Sequence, residues 1–66
     1  MITSWKMQRI IAGLSQADLA HESGVGRYRV SLIERGIIRP TREEAAKLTQ
    51  VLAYREAVNQ HEAARA

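Results

Sequence analysis

Apolar positions recur along the chain at helical spacing. Met7, Ile10, Ile11 and Leu14 stand at i, i+3, i+4 and i+7, which predicts a first helix over residues 3–12. Gly13 then supplies a left-handed C-terminal stop. Leu14, Leu19 and Ala20 carry the next apolar stripe, and Ser15 with Asp18 three residues on has the pattern of a capping box. A second helix is therefore expected over residues 15–22, ended by Ser23-Gly24. Val30 and Ile33 give a third helix its buried side, and Gly36 stops it. Pro40 excludes helix just before it. Thr41 with Glu44 repeats the capping pattern and opens a fourth helix, and no glycine or proline follows as far as Ala66. No stretch alternates cleanly, phenylalanine is missing, and no repeat or low-complexity segment is present. The predicted fold is all-α.

Sixty-six residues make one small domain with no room for a second core. A chain of this size buries only about 60% of its unfolded surface, so stability is marginal and oligomerisation is the expected support. Zero cysteines remove disulfides and thiolate zinc sites. No apolar run approaches the roughly 20 residues of a membrane span, and the N-terminus, MITSWKMQRI, lacks the unbroken apolar stretch of a signal peptide. A soluble cytoplasmic protein with no membrane association is expected.

The net charge of +3 is modest, but its distribution is uneven. Residues 1–26 balance Lys6 and Arg9 against Asp18 and Glu22. Residues 27–42 set Arg27, Arg29, Arg35, Arg39 and Arg42 against Glu34 alone. Residues 43–66 carry a slight acidic excess. Arginine suits bidentate contacts to phosphate and guanine better than lysine does, so the central segment reads as a nucleic-acid-facing surface.

That segment opens with GVGRYR, one glycine short of the dinucleotide fingerprint G-x-G-x-x-G. A dinucleotide loop needs a preceding strand, whereas a helix is predicted there and Arg29 stands where the third glycine belongs. The glycines have a simpler use: Gly24 allows a sharp turn between two helices, and Gly26 takes the N-cap position of the next. Helix, short glycine turn, helix is the DNA-binding helix-turn-helix arrangement. Other chemistry is not indicated. His21-Glu22 and His61-Glu62 each lack the second histidine of H-E-x-x-H, so no metal is expected, and a chain too small to shape a pocket is expected to have no cofactor, small-molecule ligand or enzymatic activity.

The stretch GLSQADLAHESGVGRYRVSLIERG, followed by RPT, resembles the lambda-repressor/Cro-type helix-turn-helix domain over roughly residues 5–52. The resemblance rests on Gly13-Leu14-Ser15-Gln16, Leu19-Ala20, Gly24-Val25, Ile33-Glu34-Arg35-Gly36 and Pro40 together. It implies a compact domain of four or five helices in which the second crosses the DNA backbone and the third enters the major groove. It further implies that Arg27, Tyr28, Ser31 and Leu32 read bases. Gln16 bonds a phosphate and buttresses the recognition helix, and Arg29, Arg35, Arg39 and Arg42 meet the sugar-phosphate backbone. Leu32 departs from the polar residue common in the family and is left with apolar contact. The matching pair in the family makes Arg9 and Glu34 an internal ion pair, and Leu14, Leu19, Val25, Val30, Ile33, Leu48 and Leu52 the core, with Trp5 over it.

Two departures bear on assembly. The family usually has polar or basic residues at positions 37 and 38, so Ile37 and Ile38 are expected to be covered by a second subunit. Ala53 replaces a common glycine, so the fourth helix either ends near it, with a fifth following, or runs on through VLAYREAVNQHEAARA. Val51, Tyr54 and Val58 make an apolar seam there. The expected organisation is a DNA-binding domain over residues 1–52 and a helical extension over 53–66 that serves dimerisation. The functional expectation is a nucleoid-associated transcriptional regulator that binds double-stranded DNA as a homodimer at an inverted-repeat operator. Repression, including of its own promoter, is the expected action. Small regulators of this kind are typical of phages and mobile elements. The competing reading is an antitoxin-like interaction module whose C-terminal helix binds a partner protein.

Overall fold

Among the described residues four helices form, and the turns between them are closed by local hydrogen bonds. The computed structural model describes residues 4–65. Helix α1 (Trp5–Ile11) starts on Ser4, whose Oγ accepts the Met7 N–H at 3.1 Å. Helix α2 (Gln16–Ser23) opens on a reciprocal box: Ser15 Oγ accepts the Asp18 N–H at 3.0 Å, and Asp18 Oδ2 accepts the Ser15 N–H at 3.1 Å. Helix α3 (Arg27–Glu34) begins at Gly26 without a side-chain cap. Helix α4 (Arg42–Arg65) opens on a second box, in which the Thr41 N–H donates to Glu44 Oε1 at 2.9 Å and the Glu44 N–H to Thr41 Oγ1 at 3.1 Å. Both boxes are the ones the sequence pattern predicts. The expected start of the first helix at residue 3 lies outside the described residues.

Gly13 (φ 78°) and Gly24 (φ 77°) adopt the left-handed conformation that ends α1 and α2. Space around both is open, so backbone strain is what excludes a side chain there. The Gly24 N–H closes α2 on Ala20 O at 2.9 Å, and the buried Ser23 hydroxyl accepts the Val25 N–H at 3.2 Å. The turn between α2 and α3 is thereby held at both ends.

Leu14, Leu19, Val25, Val30, Ile33, Leu48 and Leu52 are buried in one cluster, with Trp5 packed at its edge, as expected. Ala12 joins them without having been predicted. The first helix departs from its pattern. Met7, Ile10 and Ile11 remain 51%, 53% and 62% exposed, and no residue within α1 is fully buried. Trp5, Arg9 and Ala12 also lie at i, i+4 and i+7, and this second face is the one turned inward. The reason is chemical: it is the face that brings Arg9 to Glu34 on α3.

Helix α4 resolves the question raised by Ala53, because it continues unbroken for 24 residues. Its second half is tied to the body by Asn59 Nδ2, which donates to Ala12 O at 3.0 Å, and by Arg55 Nη2, which donates to Glu22 Oε2 at 2.6 Å. Two residues of the expected dimer seam already pack within the fold. Ile38 and Val51 are partly buried and pack against the core, which gives them an intramolecular partner. Ile37 and Tyr54 stay exposed, and Val58 is half-buried.

Candidate nucleic-acid interface

The surface of interest is built on α3. Val30 and Ile33 hold it to the core from one side. Helical periodicity then turns Arg27, Tyr28, Ser31 and Leu32 to the other side, since i, i+1, i+4 and i+5 share a face. Arg27 and Tyr28 are exposed, while Ser31 and Leu32 are half-buried beneath them. Gly26 offers no side-chain cap to the first N–H groups of α3.

The position of α3 is set by one polar joint. Arg9 Nε donates to Glu34 Oε2 at 2.7 Å and Arg9 Nη2 to Glu34 Oε1 at 3.1 Å, a fork-to-fork pair. Arg9 Nη1 also donates to Leu14 O at 2.8 Å, and Gln16 Nε2 to Glu34 Oε1 at 3.2 Å. The Glu34 side chain is only 2% exposed. Helix α1, the start of α2 and the end of α3 therefore meet at the Glu34 carboxylate, and the α1–α2 turn joins them through the Arg9 guanidinium. Gln16 braces the end of α3 through that carboxylate.

Charge pairing divides the arginines into two groups. Arg9 and Arg55 are paired as described, and Lys47 sits 3.5 Å from Glu43. Arg27, Arg35, Arg39 and Arg42 are exposed, and none of their guanidinium groups has a hydrogen-bond or ion-pair partner among the described residues. Arg27 and Arg35 begin and follow α3, Arg39 precedes Pro40 in the next loop, and Arg42 opens α4. Four cations are thus left on and just after α3.

Arg29 departs from expectation. It was expected to meet the DNA backbone with the other arginines, but its fork is occupied. Arg29 Nη2 donates to Glu44 Oε1 at 2.8 Å, and Nε donates to Glu44 Oε2. The Arg29 guanidinium, first, and the Thr41 N–H, second, hold the Glu44 carboxyl down at about 2. The sequence showed Glu44 only as the third residue of a capping box, and nothing fifteen positions away marks Arg29 as its partner.

A sequence family described as Helix-turn-helix matches residues 6–59. The chain belongs to the lambda-repressor/Cro-type helix-turn-helix family. No curated protein and no solved structure matches it closely enough for comparison. Membership identifies a DNA-binding domain of the transcription-regulator kind. In helix-turn-helix terms, α2 and α3 are the bihelical unit, Gly24–Gly26 is its turn, and α3 is the recognition helix. No described helix is long and apolar enough to cross a membrane.

Proposed function

We propose that this helix-turn-helix protein is a repressor that binds an inverted-repeat operator as a homodimer, with α3 in the major groove. The observation that carries the reading is the set of exposed, unpartnered arginines on and after α3, whereas Arg9, Arg29 and Arg55 are paired within the fold. Unpaired guanidinium forks facing solvent match phosphate and guanine, and leaving them unpaired in the free protein keeps them available.

In this reading Arg27 donates two hydrogen bonds to guanine O6 and N7, Tyr28 meets a phosphate or a thymine methyl, and Ser31 and Leu32 complete the base-facing surface. Gln16, Arg35, Arg39 and Arg42 lie along the backbone and set affinity. Two copies related by two-fold symmetry place their recognition helices about 34–36 Å apart, one turn of B-DNA. The dimer also doubles the phosphate contacts, which one small domain needs for useful affinity. A protein so placed on a promoter blocks polymerase, and its own gene is a natural target.

Selection from random oligonucleotides, followed by binding at several salt concentrations, tests this. An approximate inverted repeat should be enriched, and failure to enrich any motif removes the reading. Arg27→Ala should relax preference at one base pair per half-site by about 1–3 kcal/mol. Arg39→Ala should weaken all sequences alike and reduce the salt slope by about one.

A further inference from the structure

Arg29 and Arg27 are two residues apart on the same helix, yet only Arg29 is restrained. Arg29 lies on the flank of α3, between the outward face carrying Leu32 and the inward face carrying Ile33. Its guanidinium side chain is 45% exposed, so solvent reaches it, but both of its contacting nitrogens are directed at Glu44. Glu44 is in turn fixed at the start of α4, where its Oε1 accepts the Thr41 N–H at 2.9 Å. A carboxylate anchored to backbone cannot follow the arginine towards a ligand. Helices α3 and α4 pack far less on each other than either does on α2, so this pair is also a direct strut between them.

We propose that Glu44 is a specificity-determining residue that withholds Arg29 from DNA phosphates and holds the recognition helix against α4. The proposal rests on duplex DNA being what α3 meets. Phosphate contacts raise affinity for every sequence alike, whereas base contacts separate one sequence from another. Removing one arginine from the phosphate-binding set lowers unselective binding and leaves the Arg27–Tyr28 end of α3 untouched. Arg29 thereby acts as a positioning residue, and the pair increases the share of binding energy that depends on base identity. A phosphate competing for Arg29 would have to displace a bidentate, backbone-anchored carboxylate, a stronger partner than the water around Arg27.

The test is the salt dependence of binding to a random-sequence duplex, read by fluorescence anisotropy with the full chain. Glu44→Gln keeps an amide oxygen for the Thr41 N–H, and glutamine serves the same capping position, so the helix start is preserved. The freed Arg29 should add one phosphate contact, steepening the slope of log K against log salt by about 0.9. The affinity lost between about 50 and 200 mM salt then grows by a further factor of about 3 to 4. Arg29→Gln alone should leave the slope at its wild-type value, and the double variant should return to that value. Three results overturn the proposal: an unchanged slope in Glu44→Gln, a double variant as steep as Glu44→Gln, or a slope shallower by about one contact in Arg29→Gln. The second would mean that Glu44 acts through its own charge, and the third that Arg29 meets phosphate despite Glu44. Should Glu44→Gln fail to fold, the Arg29→Gln arm still decides. If the wild-type chain binds no duplex, the DNA-binding reading falls as well, which separates that failure from the others.

Discussion

At the scale of single residues, chemistry is decided by which partner a charge finds. The basic residues are equivalent on paper, but the structure separates Arg9, Arg29, Lys47 and Arg55, which are paired within the fold, from Arg27, Arg35, Arg39 and Arg42, which are left to solvent. Arg9 and Glu34 make the most buried ion pair among the described residues, and three helices share its hydrogen bonds. Truncating Glu34 to alanine strands the Arg9 guanidinium and should destabilise the domain by about 3–5 kcal/mol. For so small a domain that is most of its stability, since whole domains hold only about 5–15 kcal/mol. Urea unfolding followed by circular dichroism measures it, and a loss below about 1 kcal/mol would mean that the pair is solvated and unimportant. The Arg9–Glu34 pairing was legible through family resemblance. Glu44's hold on Arg29 was not, because a capping box explains that glutamate fully without reference to α3.

At the scale of elements, capping chemistry was read correctly from sequence and facing was not. Ser15 with Asp18 and Thr41 with Glu44 close as predicted because those bonds span only three residues. The facing of α1 depends on distant residues. Two helical faces competed, and Arg9 could be buried only on the one that meets Glu34. The caps also carry a pH signature. Asp18 is held below its ordinary value chiefly by the Ser15 N–H, Glu22 by the Arg55 guanidinium, and Glu44 by the Arg29 guanidinium. Each carboxyl binds its proton less readily when folded, so the stabilisation is complete above the ordinary values of 3.8 and 4.5 and is lost as pH falls through the folded values. The melting temperature should therefore hold down to about pH 5 and then fall progressively towards about pH 2, less steeply in Glu44→Gln. A melting temperature unchanged across that interval would show that these carboxylates are unpaired in solution.

At the scale of the whole molecule, the open question is what covers the remaining apolar surface. Ile38 and Val51 are partly buried against the core, so the proposed dimer contact centres on Tyr54, 66% exposed, with Val58 and Ile37. Tyr54 borders a shallow groove that Val51 and Lys47 of α4 share with His21 and Glu22 of α2, a surface that a second copy could enter. Met7, Ile10 and Ile11 form a separate exposed set on α1. Size-exclusion chromatography with light scattering should find a dimer at tens of micromolar, and Tyr54→Asp should make it monomeric. A wild-type monomer removes the homodimer, and a dimer that survives Tyr54→Asp moves the contact to α1. Sequence alone determined the helical class, the turns, both capping boxes and the arginine-rich segment, because each depends on periodicity, local bonds or composition, and the family resemblance supplied seven core positions. Tertiary structure alone decided which face of α1 is buried, that Ile38 and Val51 pack inward, and that Asn59 and Arg55 fasten the far half of α4 to the body. It also decided that Arg29 answers to Glu44, because that pairing joins residues far apart in the chain that come within reach only once α2 and the core have placed α3 beside the start of α4.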